Sequence, residues 1–319
     1  MRVLITGATG LVGKAIVKEL HKKGIGINYL TTSKQKLVAE DNYQGFYWNP
    51  ADNEIDLNSF NGVTAIINLA GASISKRWSS AYKAKVLDSR IDSLRTLRNG
   101  IKKSGVKNIT SFVSASAIGI YPNSLSSFYS VDEKQVDDSF LGKVVEAWEK
   151  EIDAFESFDF NAAKIRIGLV LSQDGGALPQ MAKPIKNYVG AAFGSGEQWQ
   201  SWIHIEDLAR MFVYVITNEL QGTYNGVAPN PVTNSKLTKE LAKVLERPLL
   251  LPNIPEFVMK TVLGEMAYLL FASQRVSSKR IEKKGFKFKF LNVCAALEEI
   301  YQKEPIKEDP VSSYSKEYV

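Results

Sequence analysis

Three glycines near the amino terminus have the spacing of a phosphate-binding loop. They lie between an apolar run at residues 2–6 and a helical pattern that starts at Leu11. In a strand–turn–helix unit, the first turn of the helix has unpaired N–H groups that bind phosphate oxygens. Glycine permits the tight turn, the approach of the backbone to the phosphates, and close packing of helix on strand. The residues predicted to bind a dinucleotide here are Gly7, Thr9, Gly10, Leu11, Val12 and Gly13.

The residues after the second predicted strand indicate which dinucleotide binds. Sites that prefer NAD place a carboxylate about twenty residues after the glycines, where it binds the ribose 2′-hydroxyl. This chain has Thr32, Ser33 and Lys34 there, and the next carboxylate is Glu40. Hydroxyls and a lysine suit the 2′-phosphate of NADP(H), which a carboxylate would repel. We therefore expect NADP(H) rather than NAD(H). The same residues also suit a polar turn, with Thr32 or Ser33 as the N-cap of the next helix.

His204 is a candidate acid or base. It is one of two histidines in the chain, and Trp199 and Trp202 flank it as candidate walls of a substrate pocket. The alternative is a structural histidine, because Ile203 and Ile205 alternate around it as in a short strand before a helix.

Basic and aromatic residues after the fourth predicted strand are candidates for an anionic substrate. Arg77, Trp78 and Arg90 lie there. Arginine suits this task because its planar fork of N–H donors matches carboxylate and phosphate groups. The alternative is a surface salt bridge with packing of the tryptophan.

Strand-like and helix-like segments alternate over the first two hundred residues. Apolar runs occupy residues 27–31, 45–48, 65–70, 109–113 and 162–170. Helical patterns occupy residues 81–103 and 140–155. This order predicts an α/β fold with right-handed crossovers, a Rossmann-type doubly wound parallel sheet that has helices on both faces.

The pattern loosens after residue 175, where Gly, Pro and aromatic residues cluster and short helices are predicted at residues 235–245 and 257–270. We therefore expect an NADP(H)-binding Rossmann domain over residues 1–175. A smaller α+β lobe over residues 176–302 would interleave with the sheet and close over the strand ends on the substrate side.

Composition restricts the class of protein. The chain has 319 residues, of which 45% are hydrophobic and 23% charged, as in ordinary soluble globular proteins. No apolar run approaches membrane-spanning length, and a first strand at residue 2 leaves no room for a signal peptide. A single cysteine, Cys294, excludes an internal disulfide framework and a cysteine-based metal site. We expect a cytoplasmic protein without a metal or a membrane partner.

The net charge of +6 is modest, and its densest cluster of basic residues lies between residues 279 and 289. A face that binds polyanions is one interpretation. We favour the other, a solvated helix followed by an alternating strand over residues 286–290, because no nucleic-acid motif accompanies the cluster. The composition of residues 303–319, rich in Lys, Glu, Pro and Ser, predicts a flexible tail. We expect a small-molecule substrate, no nucleic acid, and a monomer or homodimer.

A set of short motifs resembles one family. They are residues 68–72 (NLAGA), 76–78 (KRW), 88–91 (DSRI), 114–119 (SASAIG), 194–199 (GSGEQW), 202–207 (WIHIED) and 228–234 (APNPVTN). Through them the chain resembles the extended, atypical short-chain dehydrogenases/reductases, in the NAD-dependent epimerase/dehydratase-like branch labelled sugar nucleotide epimerases. Residues 263–266 and 274–276 resemble the small C-terminal domain of unknown function in that branch. The resemblance covers residues 1 to about 298.

The resemblance implies a Rossmann fold with NADP(H) across the carboxyl edge of the sheet. The contacts it implies are Leu69, Ala70 and Gly71 near the adenosine ribose and phosphates, and Gly168, Leu169 and Val170 near the nicotinamide. Without the resemblance, residues 69–71 are simply a buried strand that ends in a glycine turn.

The catalytic pattern of this superfamily is incomplete in the chain. Its members transfer hydride with a Ser, a Tyr and a Lys, and the Tyr and Lys lie four residues apart on one helix. Ser114 and Ser116 end the fifth predicted strand, but the helix reads DSFLGKVVE over residues 138–146, without a tyrosine. Ser139 and Lys143 have the right interval, although a serine hydroxyl is a much weaker acid than a phenol.

Other residues offer partial substitutes for that tyrosine. Tyr121 and Tyr129 precede the helix and either replace the missing base or pack in the loop. Lys143 either contacts the nicotinamide ribose or is solvated. The predicted catalytic residues are Ser114, Ser116, Lys143 and His204, and the predicted substrate contacts are Arg77, Trp78, Tyr121, Trp199 and Trp202.

Two functions are consistent with this pattern. The first is an NADP(H)-dependent oxidoreductase or epimerase-like enzyme that acts on a small molecule. The second is a non-catalytic NADP(H)-binding module that senses redox state or supports a partner, because such a protein would keep the glycine loop and lose the tyrosine. Binding of a polyanion at residues 279–289 is a weaker third hypothesis.

Overall fold

The computed structural model describes residues 1–301, so the tail predicted for residues 303–319 lies outside the described residues. The α-helices are α1 (Leu11–Lys22), α2 (Ser80–Ser104), α3 (Phe140–Asp153), α4 (Ala177–Lys186), α5 (Ile205–Thr217), α6 (Asn234–Val244), α7 (Glu256–Leu263), α8 (Tyr268–Phe271), α9 (Lys279–Lys283) and α10 (Val293–Tyr301). The strands are β1 (Arg2–Thr6), β2 (Gly26–Thr31), β3 (Ala39–Glu40), β4 (Tyr43–Asn49), β5 (Glu54–Ile55), β6 (Ala65–Asn68), β7 (Ser111–Ala117), β8 (Phe128–Tyr129), β9 (Asn161–Ile167), β10 (Leu169–Leu171), β11 (Trp199–Gln200), β12 (Trp202–His204), β13 (Gly222–Gly226), β14 (Val232–Thr233) and β15 (Arg275–Val276).

A nine-stranded sheet forms the centre of the molecule, with the strand order β13-β9-β7-β6-β1-β2-β4-β3 and β5 paired with β4. All neighbours from β13 to β4 are parallel, and only β3 and β5 run antiparallel. The strand order reverses between β1 and β6, which is the switch point where open α/β sheets bind ligands. The predicted fold class is confirmed.

Helices cover both faces of this sheet. Helix α1 packs against α5, and α2 packs against α3. Strands β1, β2 and β6 are accordingly buried along almost their whole length, as expected of a parallel sheet between two helical layers. These layers hold the carboxyl ends of the strands, and the loops that follow them, in fixed positions.

Two predicted elements are interrupted where a glycine changes the path of the chain. The strand predicted for residues 162–170 is two strands, β9 and β10, separated by Gly168. A Cβ at Gly168 would lie 2.2 Å from the carbonyl oxygen of Ser201, so only glycine allows this close approach. The helix predicted for residues 257–270 ends at Leu263, because Gly264 has a φ of +58°.

The prediction of a strand over residues 286–290 is wrong. The side chains do alternate, since Phe286 and Phe290 are buried and Lys287 is exposed. The backbone N–H groups of Lys289 and Phe290 donate to the carboxylate of Asp207 on α5, each at 2.9 Å, instead of to a neighbouring strand. A helix-borne carboxylate thus takes the place of a strand partner.

The second half of the chain contributes to the sheet and also forms a lobe beside it. Strand β13 and helix α5 belong to the central layers, whereas α4, α6 and α10 enclose a separate apolar core. The boundary at residue 175 stays a prediction, because the chain returns to the sheet after it. Within residues 1–301, no helix is long and apolar enough to cross a membrane.

Candidate functional site

The glycine loop joins β1 to α1 and leaves the first turn of the helix uncapped. Gly7 has a φ of +72°, and its carbonyl oxygen accepts from the N–H of Gly10 at 3.0 Å. A Cβ at Gly13 would lie 2.1 Å from that same oxygen, so a side chain there would displace the loop. Gly10 is the N-cap and has no side chain to bond the N–H groups of residues 11–13. These N–H groups fit a pyrophosphate at the positive end of the helix dipole.

A buried hydrogen-bond network ties the ends of three neighbouring strands together beneath this loop. The hydroxyl of Thr6 donates to Asn68 Oδ1 at 2.7 Å and accepts from the backbone N–H groups of Leu69 and Ala70, both at 3.0 Å. The Asn68 amide donates to the hydroxyl of Ser114 at 3.0 Å. The network fixes residues 69–71 next to the glycine loop. We did not predict roles for Thr6 and Asn68, although a polar residue at the end of each apolar strand is a visible signal.

Other predicted cofactor residues gather around the same loop. Leu69 would contact a Cβ placed at Gly7, at 3.2 Å. On the other side, a Cβ at Gly176 would lie 3.3 Å from the Leu11 side chain and 3.9 Å from the carbonyl oxygen of Val170. The structure therefore brings the glycine loop, residues 69–71 and the segment from Val170 to Gly176 together at the carboxyl edge.

The end of β2 presents polar and cationic groups beside β1. Thr32 and Lys34 are exposed, and the Lys34 ammonium lies 5.1 Å from the centre of the Tyr47 ring. Ser33 occupies the N-cap position of a short 3₁₀ turn, but its side chain makes no capping bond. Instead, the backbone N–H of Ser33 donates to the Thr31 hydroxyl at 3.2 Å. The hydroxyl of Thr32 and the charge of Lys34 remain directed to solvent rather than into a helix cap.

Arg90 lies directly beneath the turn that follows β6. A Cβ at Gly71 would be 3.2 Å from its guanidinium carbon, which also lies 4.9 Å from the centre of the Trp148 ring. Its Nη1 donates to the carbonyl oxygens of Ala72 at 3.1 Å and Val86 at 2.8 Å. No described carboxylate pairs with it, and burial lowers its pKa to about 10. A desolvated cation without a carboxylate partner, beside a backbone turn, is suited to an anionic ligand.

Ser139 and Tyr268 have the hydroxyls at the start of α3, the helix in which the superfamily carries its catalytic tyrosine. Ser139 is the N-cap of the helix, and its hydroxyl accepts from the N–H of Gly142 at 3.2 Å. The hydroxyl of Tyr268, from the C-terminal part of the chain, donates to Asp137 Oδ1 nearby at 2.8 Å. Burial and the hydrogen bond to Asp137 raise the pKa of Tyr268, which opposes ionisation of this phenol. We did not predict a role for Tyr268.

Lys143 is exposed one turn into α3. No hydrogen bond or ion pair joins its ammonium to another residue in the described part of the chain. It is the exposed member of the four predicted catalytic residues.

Ser116 belongs to a buried ionic network on the α3 side of the sheet. Ser116 is 2% exposed, and its hydroxyl donates to Glu149 Oε1 at 2.6 Å. Arg166 donates to both oxygens of Glu149 at 2.8 Å, and its Nη1 donates to the hydroxyl of Tyr121 at 2.9 Å. That hydroxyl donates in turn to Asn225 at 2.7 Å. Ser116 and Tyr121 therefore lie inside the molecule, and the predicted catalytic and substrate roles do not fit their positions.

Three further predicted residues are internal. Ser114 is fully buried and donates to the carbonyl oxygen of Ala115 at 3.0 Å. Trp202 is fully buried, and its indole N–H donates to the carbonyl oxygen of Asn230 at 2.9 Å. His204 is 5% exposed, and its Nδ1 accepts from the N–H of Glu206 at 3.2 Å as the N-cap of α5. The geometry supports the structural interpretation of His204, and Trp202 has no exposed surface to offer a substrate.

The remaining predicted substrate residues lie at the surface. Arg77 is exposed. Trp78 is half-buried, donates to the carbonyl oxygen of Ile74 at 2.9 Å and packs edge-on against Phe140 at 5.1 Å. Trp199 is also half-buried and donates from its indole N–H to the carbonyl oxygen of Leu125 at 3.0 Å. Trp78 thus flanks the start of α3, whereas Trp199 flanks the loop that follows β7.

Comparisons with known proteins agree with this geometry. A sequence profile of the NAD dependent epimerase/dehydratase family matches residues 3–226, and a profile of a domain of unknown function (DUF1731) matches residues 254–300. An epimerase family protein of Staphylococcus aureus (strain MRSA252) is 35% identical over 305 residues, which cover 94% of this chain and 99% of that protein.

Solved structures extend this likeness to three dimensions. The crystal structure of a human epimerase family protein with NADPH has a TM-score of 0.82 and 27% identity, covering 95% of this chain and 100% of that chain. A nucleoside-diphosphate sugar epimerase from Corynebacterium glutamicum has a TM-score of 0.75 and 26% identity, covering 97% of this chain and 59% of that chain. The resemblance seen in the motifs is confirmed, and the chain belongs to the NAD-dependent epimerase/dehydratase family.

Proposed function

We propose that this protein binds NADP(H) in preference to NAD(H) and uses it in an oxidoreductase or epimerase-like reaction on a small molecule. The observation that carries the proposal is the uncapped first turn of α1 behind the glycine loop, with Thr32 and Lys34 exposed at the end of the adjacent strand. The family is NAD(P)-binding, and the human relative was crystallised with NADPH.

The charge at the end of β2 supports the choice of NADP(H). A 2′-phosphate needs donors and positive charge, and Lys34 supplies an ammonium while Thr32 supplies a hydroxyl. The nearest following carboxylate in the chain, Glu40, lies on β3 at the far edge of the sheet. No carboxylate from residues 31–39 is present to bind the 2′-hydroxyl of NAD or repel a phosphate.

Each part of the site has residues suited to one part of the cofactor. The N–H groups of residues 11–13 would hold the pyrophosphate, and Arg90 beneath Gly71 would add a positive charge to the same anion. When bound, the nicotinamide supplies or accepts a hydride. The chain must then supply a proton donor and acceptor for the substrate oxygen. Lys143 Nζ is the predicted catalytic atom that solvent and a ligand can reach, so we assign it this proton.

A second candidate function, an NADP(H)-binding sensor without turnover, is favoured by one specific observation. The three hydroxyls at or near the expected catalytic positions are already engaged: Ser114 with Asn68, Ser116 with Glu149, and Ser139 as the cap of α3. A protein that only binds the cofactor has no need of a free hydroxyl there.

A paired measurement separates these functions. NADPH binding is measured first by calorimetry, and the absorbance of reduced nicotinamide is then followed against a panel of carbonyl compounds and sugar nucleotides. We expect turnover that Lys143→Met reduces at least about tenfold, as expected for loss of general acid–base help. Lys150→Met, which changes an exposed lysine on the same helix, is the matched control and should not affect turnover.

The other outcomes reject one function or both. NADPH binding without turnover on any compound would favour the sensor. An equal loss of turnover in the Lys143 and Lys150 variants would show that Lys143 has no catalytic role. Absence of NADPH binding would reject both functions.

A further inference from the structure

The hydroxyl of Tyr29 holds the end of the loop that follows β2, residues 32–38, which we call the β2 loop. Tyr29 lies on β2 and is 1% exposed. Its hydroxyl donates to the carbonyl oxygen of Lys36 at 2.5 Å and accepts from the backbone N–H of Val38 at 2.9 Å. One buried phenol therefore uses both its donor and its acceptor on the backbone of this loop.

The β2 loop has little packing of its own to fix its conformation. None of its residues is buried. Within residues 1–301, no side chain caps the 3₁₀ turn at Lys34–Lys36. The hydroxyl of Thr31 accepts from the N–H of Ser33 at 3.2 Å and so holds the start of the loop. The hydroxyl of Tyr29 is the side-chain group that holds its end.

The neighbouring strand β4 leaves room for this phenol and orients it. Tyr29 pairs with Gly45, and a Cβ at Gly45 would lie 2.5 Å from the Tyr29 hydroxyl oxygen. The ring of Tyr43 stacks on that of Tyr29, with the two centres 4.6 Å apart. The N–H of Gly45 also donates to the carbonyl oxygen of Val38 at 2.8 Å, which keeps the end of the loop beside β4. The position of the phenol is thus set by the sheet itself.

We propose that Tyr29 is a positioning residue that sets the preference for NADP(H) over NAD(H). The proposal rests on the proposed function, in which Lys34 binds the 2′-phosphate. Lys34 lies two residues before the carbonyl that Tyr29 binds, so the tether fixes the backbone from which Lys34 projects. A segment that is already ordered loses less conformational entropy when it binds a ligand. NADH has no 2′-phosphate, so its affinity should not depend on Tyr29.

Tyr29→Phe tests this role, because it removes the hydroxyl and keeps the ring. Calorimetry measures the dissociation constants of NADPH and NADH for the full-length wild type and the variant. We expect the variant to reduce the preference for NADPH about threefold or more, as for the loss of one hydrogen-bonded tether, and to leave the NADH constant unchanged. Equal affinities of the wild type for the two cofactors would reject the proposed NADP(H) preference and this inference with it. A wild-type preference for NADPH that Tyr29→Phe fully retains overturns this inference alone.

Tyr224→Phe is the matched control. Tyr224 is also 1% exposed, lies on β13 at the edge of the same sheet, and donates from its hydroxyl to the carbonyl oxygen of Gln221 at 3.0 Å. Each variant loses one hydroxyl that is bonded to the backbone, so both should lose stability to a similar degree. Only Tyr29→Phe should change the preference for NADPH. An equal change of that preference in both variants would show a general effect of stability and overturn the proposal.

A second background shows whether Tyr29 acts through Lys34. The same two affinities are measured for Lys34→Met with and without Tyr29→Phe. In the Lys34→Met background, Tyr29→Phe should have little further effect on the preference, because the side chain that it positions is gone. A reduction by the same factor in both backgrounds overturns the proposal.

Hydrogen exchange of the wild type tests the tether if Tyr29→Phe does not fold. The N–H of Val38 donates to the phenol, so with NADPH bound it should exchange at least about tenfold more slowly than in an unstructured peptide. Saturating NADPH should slow this exchange more than saturating NADH does. Exchange at the rate of an unstructured peptide, or equal protection by the two cofactors, overturns the proposal.

Discussion

Replacing Glu149 with Gln removes the one carboxylate of the buried network on the α3 side of the sheet. Glu149 is 5% exposed and faces Arg166 at 2.8 Å, Lys164 at 3.2 Å and the hydroxyl of Ser116 at 2.6 Å. Glutamine keeps the size of the side chain. It presents one acceptor in place of two and turns an NH₂ donor toward groups that are themselves donors. The variant thus leaves the Arg166 charge buried without compensation.

The magnitude follows from that uncompensated charge. Breaking a buried ion pair by removing one partner costs about 3–5 kcal/mol, because the remaining ion keeps its desolvation cost. We expect Glu149→Gln to lower the free energy of unfolding by this amount. Glu146→Gln changes an exposed carboxylate on the same helix and should stay within about 0.5 kcal/mol of the wild type.

The same carboxylate should make stability depend on pH. Burial alone would raise the pKa of Glu149, but the hydrogen bonds and charge of Arg166 outweigh it and lower the pKa. Below the pKa of about 4.3 of an unfolded glutamate, the unfolded chain then binds more protons than the native chain. The stability due to Glu149 is therefore present above that pH and is lost as the pH falls through the lower native pKa.

Urea unfolding followed by fluorescence, at neutral and acidic pH, measures both effects. The wild type should lose stability more steeply than Glu149→Gln as the pH falls below about 4.3. A cost below about 1 kcal/mol at neutral pH, or identical pH dependence in the two proteins, would refute the assignment of Ser116 and Glu149 to a structural network.

Three further predictions concern the site. Gly13→Ala should lower stability by about 1–3 kcal/mol and weaken NADPH binding in calorimetry, since its Cβ would overlap a backbone oxygen. An equal loss of stability in Gly10→Ala, whose Cβ is 3.3 Å from its nearest neighbour, would contradict this. Tyr268→Phe should cost about 1–2 kcal/mol in thermal unfolding, because it leaves Asp137 short of a donor, and should not change NADPH affinity. Arg90→Gln should weaken NADPH binding about tenfold, whereas an unchanged dissociation constant would show that Arg90 only packs against its neighbours.

Local sequence patterns were sufficient to predict most of the fold. The glycine spacing and the apolar runs of β1, β2 and β6 predicted the Rossmann-type parallel sheet correctly, because a buried parallel strand and a phosphate loop each have a sequence signature. Where the predicted elements failed, tertiary contacts decided. The backbone of residues 289 and 290 bonds to Asp207, which lies about eighty residues away in the chain, and no local pattern reports such a contact.

The site was predictable where backbone geometry determines it. The glycine-loop residues follow from their own spacing, whereas residues 69–71 and Val170 were implied by the family resemblance, and the structure brings residues 7–13, 69–71 and Val170 together. The side chains were harder to assign. Ser116 and His204 have reactive groups, but their burial depends on Glu149, Arg166 and Phe290, which come from distant elements. Whether a reactive side chain is buried depends on how the whole molecule packs, and the spacing of residues in the sequence does not report it.

Arg275 shows the opposite case, in which the sequence contained a motif without a predicted structural role. The residues QRV at 274–276 contributed only to the resemblance. The structure shows that Gln274 and Val276 are held by Ser201, while the buried Nε of Arg275 has no hydrogen-bond partner in the described part of the chain. The aromatic rings near its guanidinium, Trp199 and Phe128, belong to distant parts of the chain.

The central claim is that the end of β2 selects the 2′-phosphate of NADP(H). Calorimetry of the wild type with NADPH and with NADH tests it most directly. One charge-assisted bond from Lys34 to the phosphate is worth about 1.5–3 kcal/mol, so NADPH should bind about tenfold or more tightly than NADH. Lys34→Met should remove most of that difference without weakening NADH. Equal affinities of the wild type for the two cofactors, or tighter binding of NADH, would contradict the account.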